Sequence, residues 1–272
     1  MKTTAIILSG GKGTRFGSDI PKQYLRIKEK EILAYTLMAF QKSGVDEIII
    51  VAAEEYLEKC RKIALENGCS KVTAVIHGGT ERYDSVYEGL KFLNRQDTEN
   101  TMTQSQELNV MRSSDETENQ IVLIHDGARP FIKPGIIDQL VREIEIHGAA
   151  IAAAPCTDTI KLINENAEII DTTNRRLTWS AQTPQGFYLT PIYSAYKMVL
   201  DALRRKENNN KIACSQKLLK LQECLKSTSV TDDAMVYQLV YPERCVKVVD
   251  AGSENFKITK PQDLKLAELI LQ

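Results

Sequence analysis

The sequence predicts an α/β protein built on a doubly wound, mostly parallel sheet. Two observations predict it. Strand-like and helix-like stretches alternate from the N-terminus to about residue 155, the βαβα rhythm of parallel strands joined by crossover helices. The strand-like stretches are short continuous apolar runs, as expected where both faces of a strand are covered.

Each element carries its own signal. TTAIILS (3–9) is the first buried strand. ILAYTLMAFQKSG (32–44) sets Ile32, Tyr35, Leu37, Met38 and Phe40 largely on one side of a helix, with Gly44 as its stop. DEIIIVAA (46–53) is a second buried strand, and EEYLEKCRKIALENG (54–68) an amphipathic helix ending at Asn67-Gly68. KVTAVIHGG (71–79) is a third strand running into glycines, followed by a helix over 82–94. QIVLIHDGARP (120–130) is a further strand, 134–148 a helix and AAIAAAP (149–155) a strand. In such sheets ligands bind beyond the carboxyl ends of the strands.

Two stretches break the rhythm. Residues 94–120 are polar and poor in large apolar groups, so they are expected to form a flexible insertion that cannot offset its ordering entropy. Residues 204–228 read as a surface loop followed by a helix, with Leu218, Leu219, Leu221 and Leu225 facing inward. A third segment, 158–187, has β-rich pieces around NENAE and reads as a β-hairpin protruding from the sheet, an arm over about 157–185. A late hairpin of this kind suits a clasp on a partner. No internal repeat and no Pro/Gly linker divides the chain, so residues 1–272 are expected to form a single domain.

The totals bound the function. A formal net charge of −1 gives no global basic field for nucleic acid, so any positive site is local. The six cysteines (60, 69, 156, 214, 224 and 245) form no CxxC pair and have no zinc-finger spacing, which suits free thiols in a reducing cytosol. The three histidines are too scattered for a metal cage. No apolar run approaches a membrane span, and the chain enters a strand almost at once with no signal peptide, so a cytoplasmic protein is expected.

The chemistry starts at AIILSGGKGTRFGSDIPKQYL (5–25). Gly10, Gly11 and Gly13 follow a buried strand, and Thr14, Arg15 and Lys22 follow them. Glycines let the backbone turn sharply with its N–H groups toward one anion. Arginine adds bidentate phosphate contacts and lysine a compact charge. The loop is not a Walker A motif, since Gly13 precedes Thr14-Arg15, and a dinucleotide fingerprint starting at Gly11 fails at Phe16. HGGTERYDSVYEGL repeats the theme: Gly79 can bring backbone polar groups against a base edge, and Ser85 either bonds that base or caps its helix.

VLIHDGARPF delivers Asp126 at a strand end, followed by Arg129. An acid beside a phosphate loop suits Mg²⁺ next to a triphosphate; the alternative is an Asp–Arg pair that stabilises the turn. His125 alternates to the other face and reads as structural. TDDA puts Thr231, Asp232 and Asp233 at a helix start, either as caps or as metal ligands. Lys257, shortly before a Pro-capped terminal helix, is a candidate ligand for a second phosphate.

Taken together, GGKGTRFGSDIPKQYL, GGTERYDSVYEGL, IHDGARPF, DTIK, WSAQTPQGF, TDDA and NFKITKPQDL resemble the 2-C-methyl-D-erythritol 4-phosphate cytidylyltransferase family, in family order from about residue 4 to the C-terminus. The resemblance implies a Rossmann-like nucleotidyltransferase fold. It also implies a Mg²⁺-dependent reaction in the non-mevalonate isoprenoid route: the phosphate of methylerythritol 4-phosphate attacks the α-phosphorus of CTP and pyrophosphate leaves. By motif match, Arg15 and Lys22 would be catalytic. Gly10, Gly11, Gly13, Thr14, Gly79 and Ser85 would bind CTP, and Asp126 would sit by the metal. Arg129, Thr159, Arg175 and Lys257 would bind the sugar phosphate, with Thr159 and Arg175 reaching a neighbouring site across a homodimer clasped by the β-arm.

The chain departs from the family pattern in Ser9-Gly10, where two alanines are common, in the long 94–120 connection and in the extended stretch before TDDA. The nearest rival is ribitol-5-phosphate cytidylyltransferase, which shares the opening loop and the QTPQ region. A catalytically dead nucleotide scaffold would be free to lose Arg15, Lys22 and Asp126, and all three are present.

Overall fold

The computed structural model describes residues 1–11, 20–104, 120–207, 221, 223–225 and 229–271. In chain order the strands are β1 (Lys2–Ser9), the short β2 (Arg26–Ile27) and β3 (Lys30–Glu31), β4 (Glu47–Ala52), β5 (Val72–His77), β6 (Gln120–Asp126), β7 (Ala149–Pro155), β8 (Lys161–Ile163), β9 (Ile169–Thr172), β10 (Trp179–Tyr188) and β11 (Lys247–Asp250). The helices are α1 (Ile32–Gln41), α2 (Leu57–Glu66), α3 (Arg82–Gln104), α4 (Pro134–His147), α5 (Leu189–Glu207), α6 (Asp233–Val240) and α7 (Pro261–Ile270).

Among the described residues, seven strands form one sheet in the order β11-β7-β10-β6-β1-β4-β5. β1 pairs parallel with β4 and β6, β4 with β5, and β7 with β11. β10 alone runs against its neighbours, β6 on one side and β7 on the other. The sheet is therefore mostly parallel and doubly wound, as the alternating pattern requires.

The central strands β1, β4 and β6 are near-continuous apolar runs because both their faces are covered. Ala5, Ile7, Ile48, Ile50, Ile121 and Leu123 join Leu37 and Phe40 of α1, Ile63 of α2 and Leu140 of α4 in one core. Their immediate neighbours Ile6, Ile49, Val51, Val122 and Ile124 turn to the other face and pack on α3, α5 and α6. Successive side chains of a strand point to opposite faces, which makes a run of buried residues the signature of two cores.

Helix ends follow local chemistry. Pro134 opens α4, and Gly148 closes it at φ 85°, in the left-handed region that favours glycine. The Asp232 carboxylate accepts the Met235 amide at 2.9 Å and caps α6, which resolves the TDDA motif in favour of capping at that position.

The structure corrects several expectations. The 94–120 stretch is not loop from its start, because α3 continues to Gln104. Once the buried first half has nucleated a helix, each further residue adds a hydrogen bond at little cost, so polar residues extend it. Residues 105–119 lie outside the described residues. α1 ends at Gln41, ahead of Gly44, and the 54–68 stretch opens with a 3₁₀ turn at Glu54–Tyr56. In 204–228, residues up to Glu207 still belong to α5, while Leu221 and Leu225 are buried as expected. Leu218 and Leu219 lie outside the described residues.

The hairpin is present as β8 and β9, an antiparallel pair separate from the main sheet. Asn164 holds its turn by accepting the amides of Asn166 and Glu168, each at 3.0 Å. No helix among the described residues is long and apolar enough to cross a membrane.

Candidate active site

The carboxyl ends of the parallel strands stand at one level: Leu8 pairs with Asp126, Ser9 with Ala52 and Ala52 with His77. Beyond them opens a cleft of about 760 Å³, lined by Gly10, Gly11, Lys22, Gly79, Ser85 and Asp126, together with Arg82 and Lys257. A smaller cavity of about 420 Å³ between α2 and β5 has one cation, Arg61, and no carboxylate in its lining, so it lacks the charges this chemistry needs.

The glycine turn after β1 is pinned from behind. Gln23 donates to the carbonyls of Ser9 (2.7 Å) and Gly11 (3.3 Å), and the Tyr24 hydroxyl donates to Ser9 O at 3.0 Å. Both side chains come from the 3₁₀ turn Lys22–Tyr24, so one short element anchors the turn and presents Lys22 to the cleft. Burial pushes the Tyr24 hydroxyl well above its ordinary value, with Cys60 adding to the shift. Gly13, Thr14 and Arg15 lie outside the described residues.

Ser85 closes the second glycine turn. Its Oγ accepts the Gly79 amide at 3.1 Å and lies 3.2 Å from Glu81 O. A Cβ on Gly79 would meet the Asp84 Cβ at 2.2 Å, so the close approach of this loop to α3 requires glycine.

Asp126 is the centre of charge. Its Oδ2 lies 3.0 Å from Lys257 Nζ and 3.3 Å from Arg129 Nε, and its Oδ1 lies 3.6 Å from Arg82 Nε. Burial works to raise its pKa, but Lys257, Arg82 and Arg129 outweigh burial and hold the carboxyl well below the usual carboxylate range. Arg82 also pairs with the buried Asp233, so three cations face two carboxylates. Within this cluster the cations outnumber the carboxylates, while Glu54, Glu55 and Glu81 line the other part of the cleft, so an anion is drawn to the Asp126 end, where donors are already gathered and partly desolvated.

The turn that carries Asp126 is tied down on every side. Its amide donates to Thr183 Oγ1 at 3.1 Å, and that hydroxyl lies 3.0 Å from His125 Nδ1. His125 Nε2 lies 3.2 Å from Arg129 O, and Arg129 Nη1 donates to Asn255 O at 2.9 Å. Burial pushes the His125 imidazole down to about 3, so it holds the turn as a neutral ring. Its structural reading stands, with the turn as the thing it builds.

Gly127 donates to Leu8 O at 2.8 Å. A Cβ there would lie 2.9 Å from that backbone oxygen and 3.1 Å from Leu33 Cδ1. Gly127→Ala is therefore expected to lift the Asp126 turn off β1. It should lower kcat/KM by about 10- to 100-fold and stability by about 1–3 kcal/mol, read from steady-state kinetics and urea unfolding. Unchanged kinetics would show that the turn need not be held there.

The sequence-predicted residues thus divide. Gly10, Gly11, Lys22, Gly79, Ser85, Asp126 and Lys257 line one cleft, with Arg129 bonded at its floor. Thr159 and Arg175 do not line it: they sit at the base of the hairpin, where Arg175 donates to Thr159 Oγ1 at 2.7 Å. Sequence reasoning passed over Gln23, Tyr24, Arg82 and Thr183. The available signal for Arg82 was its place in GGTERYDS, one turn ahead of Ser85.

A doubly wound sheet with glycine turns and a cluster of cations at its strand tips defines a nucleotide-binding α/β protein. The family model for 2-C-methyl-D-erythritol 4-phosphate cytidylyltransferase matches residues 3–102 and 97–211. The cytidylyltransferase of that name from Alkaliphilus oremlandii is 36% identical, over 100% of this chain and 95% of its own. That from Lachnospira eligens is 36% identical, over 99% of each. The chain belongs to the 2-C-methyl-D-erythritol 4-phosphate cytidylyltransferase family. Among solved structures, the Francisella tularensis enzyme of that name is similar at a TM-score of 0.65 and 26% identity, over 99% of each chain. The 4-diphosphocytidyl-2C-methyl-D-erythritol synthase of Anaerococcus prevotii shares the fold at a TM-score of 0.70 and 24% identity, over 100% of this chain and 96% of that one.

Proposed function

We propose that the protein transfers the cytidylyl group of CTP to 2-C-methyl-D-erythritol 4-phosphate, releasing pyrophosphate and forming 4-diphosphocytidyl-2-C-methyl-D-erythritol. The observation that carries the reading is the cluster of Arg82, Arg129 and Lys257 about Asp126, in the cleft that also holds both glycine turns and Lys22. The attacking phosphate monoester is already an anion. Its oxygen forms a bond to the α-phosphorus, the bond to the bridging oxygen breaks, and pyrophosphate leaves with that electron pair. No side chain need remove a proton, so the work is positioning and charge stabilisation.

In this reading Lys22 and Arg15 offset charge on the triphosphate as it builds, and Gly10, Gly11, Gly13 and Thr14 supply backbone donors to it. Gly79 and Ser85 face the cytosine, and Arg129 and Lys257 receive the sugar phosphate. Thr159 and Arg175 serve the site of a second copy, across a homodimer joined by the hairpin. The support is the row of exposed apolar side chains along that arm, including Ile163, Ile169, Ile170 and Leu177.

Mg²⁺ fits the donor chemistry. Among the described residues no cluster of three acidic, histidine or cysteine side chains forms a cage. Asp126 already faces Arg82, Arg129 and Lys257, and Oδ1, 3.6 Å from Arg82 Nε, is its less crowded oxygen. That oxygen would hold the ion with Arg82 beside it, triphosphate oxygens and water completing the shell, since magnesium commonly takes only one or two carboxylates. When bound, the ion supplies neutralisation of triphosphate charge. Residues 1–272 act as a single domain in this reading. The cytoplasm is its proposed compartment, supported by the free thiols of Cys60, Cys69, Cys156, Cys224 and Cys245.

Pyrophosphate release measured with each nucleoside triphosphate against each sugar phosphate tests the proposal. CTP with methylerythritol 4-phosphate is expected to give the highest kcat/KM. Far faster turnover of ribitol 5-phosphate would reassign the substrate, and absence of release with every pair would leave a nucleotide-binding scaffold.

A further inference from the structure

We infer that Arg82 is a positioning residue: anchored by the buried Asp233 and Tyr196, it fixes the Asp126 carboxylate in the orientation that sets out Arg129 and Lys257. The inference rests on the cytidylyl-transfer reading of the same cleft.

The anchor is over-determined. Arg82 Nη1 donates to Asp233 Oδ1 at 2.8 Å and Nη2 to Oδ2 at 2.7 Å, a bidentate pair across 151 residues of chain. Asp233 is 0% exposed. Its Oδ1 also accepts the hydroxyl of Tyr196, which is itself buried in α5. The backbone under Asp233 is fixed as well, since Gln185 Oε1 accepts the amides of Asp233 (3.0 Å) and Ala234 (2.8 Å). Gln185 is oriented in turn by donating to Gln182 O and to Asp232 Oδ2. A carboxylate so held has no freedom to follow the arginine; the arginine follows it.

The far side of the guanidinium then does the positioning. The group is planar and rigid, so clamping its two terminal nitrogens on Asp233 dictates where Nε lies. That place is 3.6 Å from Asp126 Oδ1, while Oδ2 is shared by Arg129 and Lys257. Arg82 thus gives Oδ1 a cation of its own and opposes rotation of the carboxylate toward its other two partners. A lysine at 82 keeps the charge but reaches only one acid at a time. Burial works to lower the Arg82 pKa and Asp233 outweighs it, so the guanidinium stays charged.

The alternative is that Arg82 and Asp233 form an interior ion pair that matters for folding alone. A double-mutant cycle separates the two, because only a residue acting through Asp126 loses its effect when Asp126 is altered. The wild-type protein is first assayed for pyrophosphate release from CTP and methylerythritol 4-phosphate; a failure there sinks the functional reading itself. Given activity, Arg82→Lys is expected to lower kcat by about 10- to 100-fold. In an Asp126→Asn background, assayed at high enzyme concentration, the same change is expected to cost less than about threefold. Thermal unfolding of each variant checks that it is folded. Should Arg82→Lys not fold, Tyr196→Phe, which loosens the anchor while keeping every charge, enters the same cycle with a smaller drop. Equal losses with and without the Asp126 carboxylate, or an active wild type whose Arg82→Lys variant has normal kcat, would overturn the inference.

Discussion

Replacing Lys22 with alanine lowers kcat by about 10²- to 10³-fold, the loss typical of one preorganised charge stabiliser, or roughly 3–4 kcal/mol of barrier. The fold is expected to survive. The 3₁₀ turn that carries Lys22 is held by its neighbours, through the bonds of Gln23 and Tyr24 to Ser9 and Gly11, and Gln23 and Tyr24 are the buried residues of that turn. The ammonium can therefore be removed with the glycine turn left in place. The measurement is kcat at saturating CTP and sugar phosphate, with thermal unfolding as the control. Arg15→Ala is expected to behave alike. Near-normal turnover in Lys22→Ala would take that residue out of the chemistry.

Placing aspartates at Ile169 and Leu177 is expected to give a monomer and to lower kcat/KM for the sugar phosphate by about 10²-fold or more, with CTP binding little changed. Two charge-assisted hydrogen bonds, from Thr159 and Arg175, would be lost to the neighbouring site, and each is worth about 1.5–3 kcal/mol. The arm invites the test. A lone two-stranded hairpin is marginally stable in water, yet this one leaves Ile163, Ile169, Ile170 and Leu177 more than half exposed. Several large apolar side chains exposed on one arm are what a contact site would cover. Sedimentation combined with kinetics reads both effects in one preparation. A monomer with undiminished activity would refute the exchange of arms.

Much of this architecture was legible in the sequence because burial on both faces writes itself as a continuous apolar run. TTAIILS, DEIIIVAA and QIVLIHD became β1, β4 and β6, and NENAE marked the turn of the hairpin. Asp126 was legible as an acid at a strand tip. Other features depend on distant pairing that no local pattern records. The direction of β10 and the existence of β11 are set by which strands lie beside them. α5 went unread although its amphipathic face packs Tyr196 and Val199 into the second core, since the insertion that follows masked where it stops. The partnership of Arg82 with Asp233 joins two motifs that look self-sufficient when read one at a time, a glycine turn and a helix cap.

The antiparallel strand β10 has a consequence of its own. Its first three residues, Trp179 to Ala181, are exposed where they leave the hairpin, and the next six, Gln182 to Phe187, are buried. Gln182 and Thr183 brace Asn255 and the Asp126 turn, and Gln185 braces the start of α6. A slip of one position along this strand would invert its side chains all at once. Hairpin and active-site turn are therefore mounted on a single beam, and neither can drift in evolution without dragging the other.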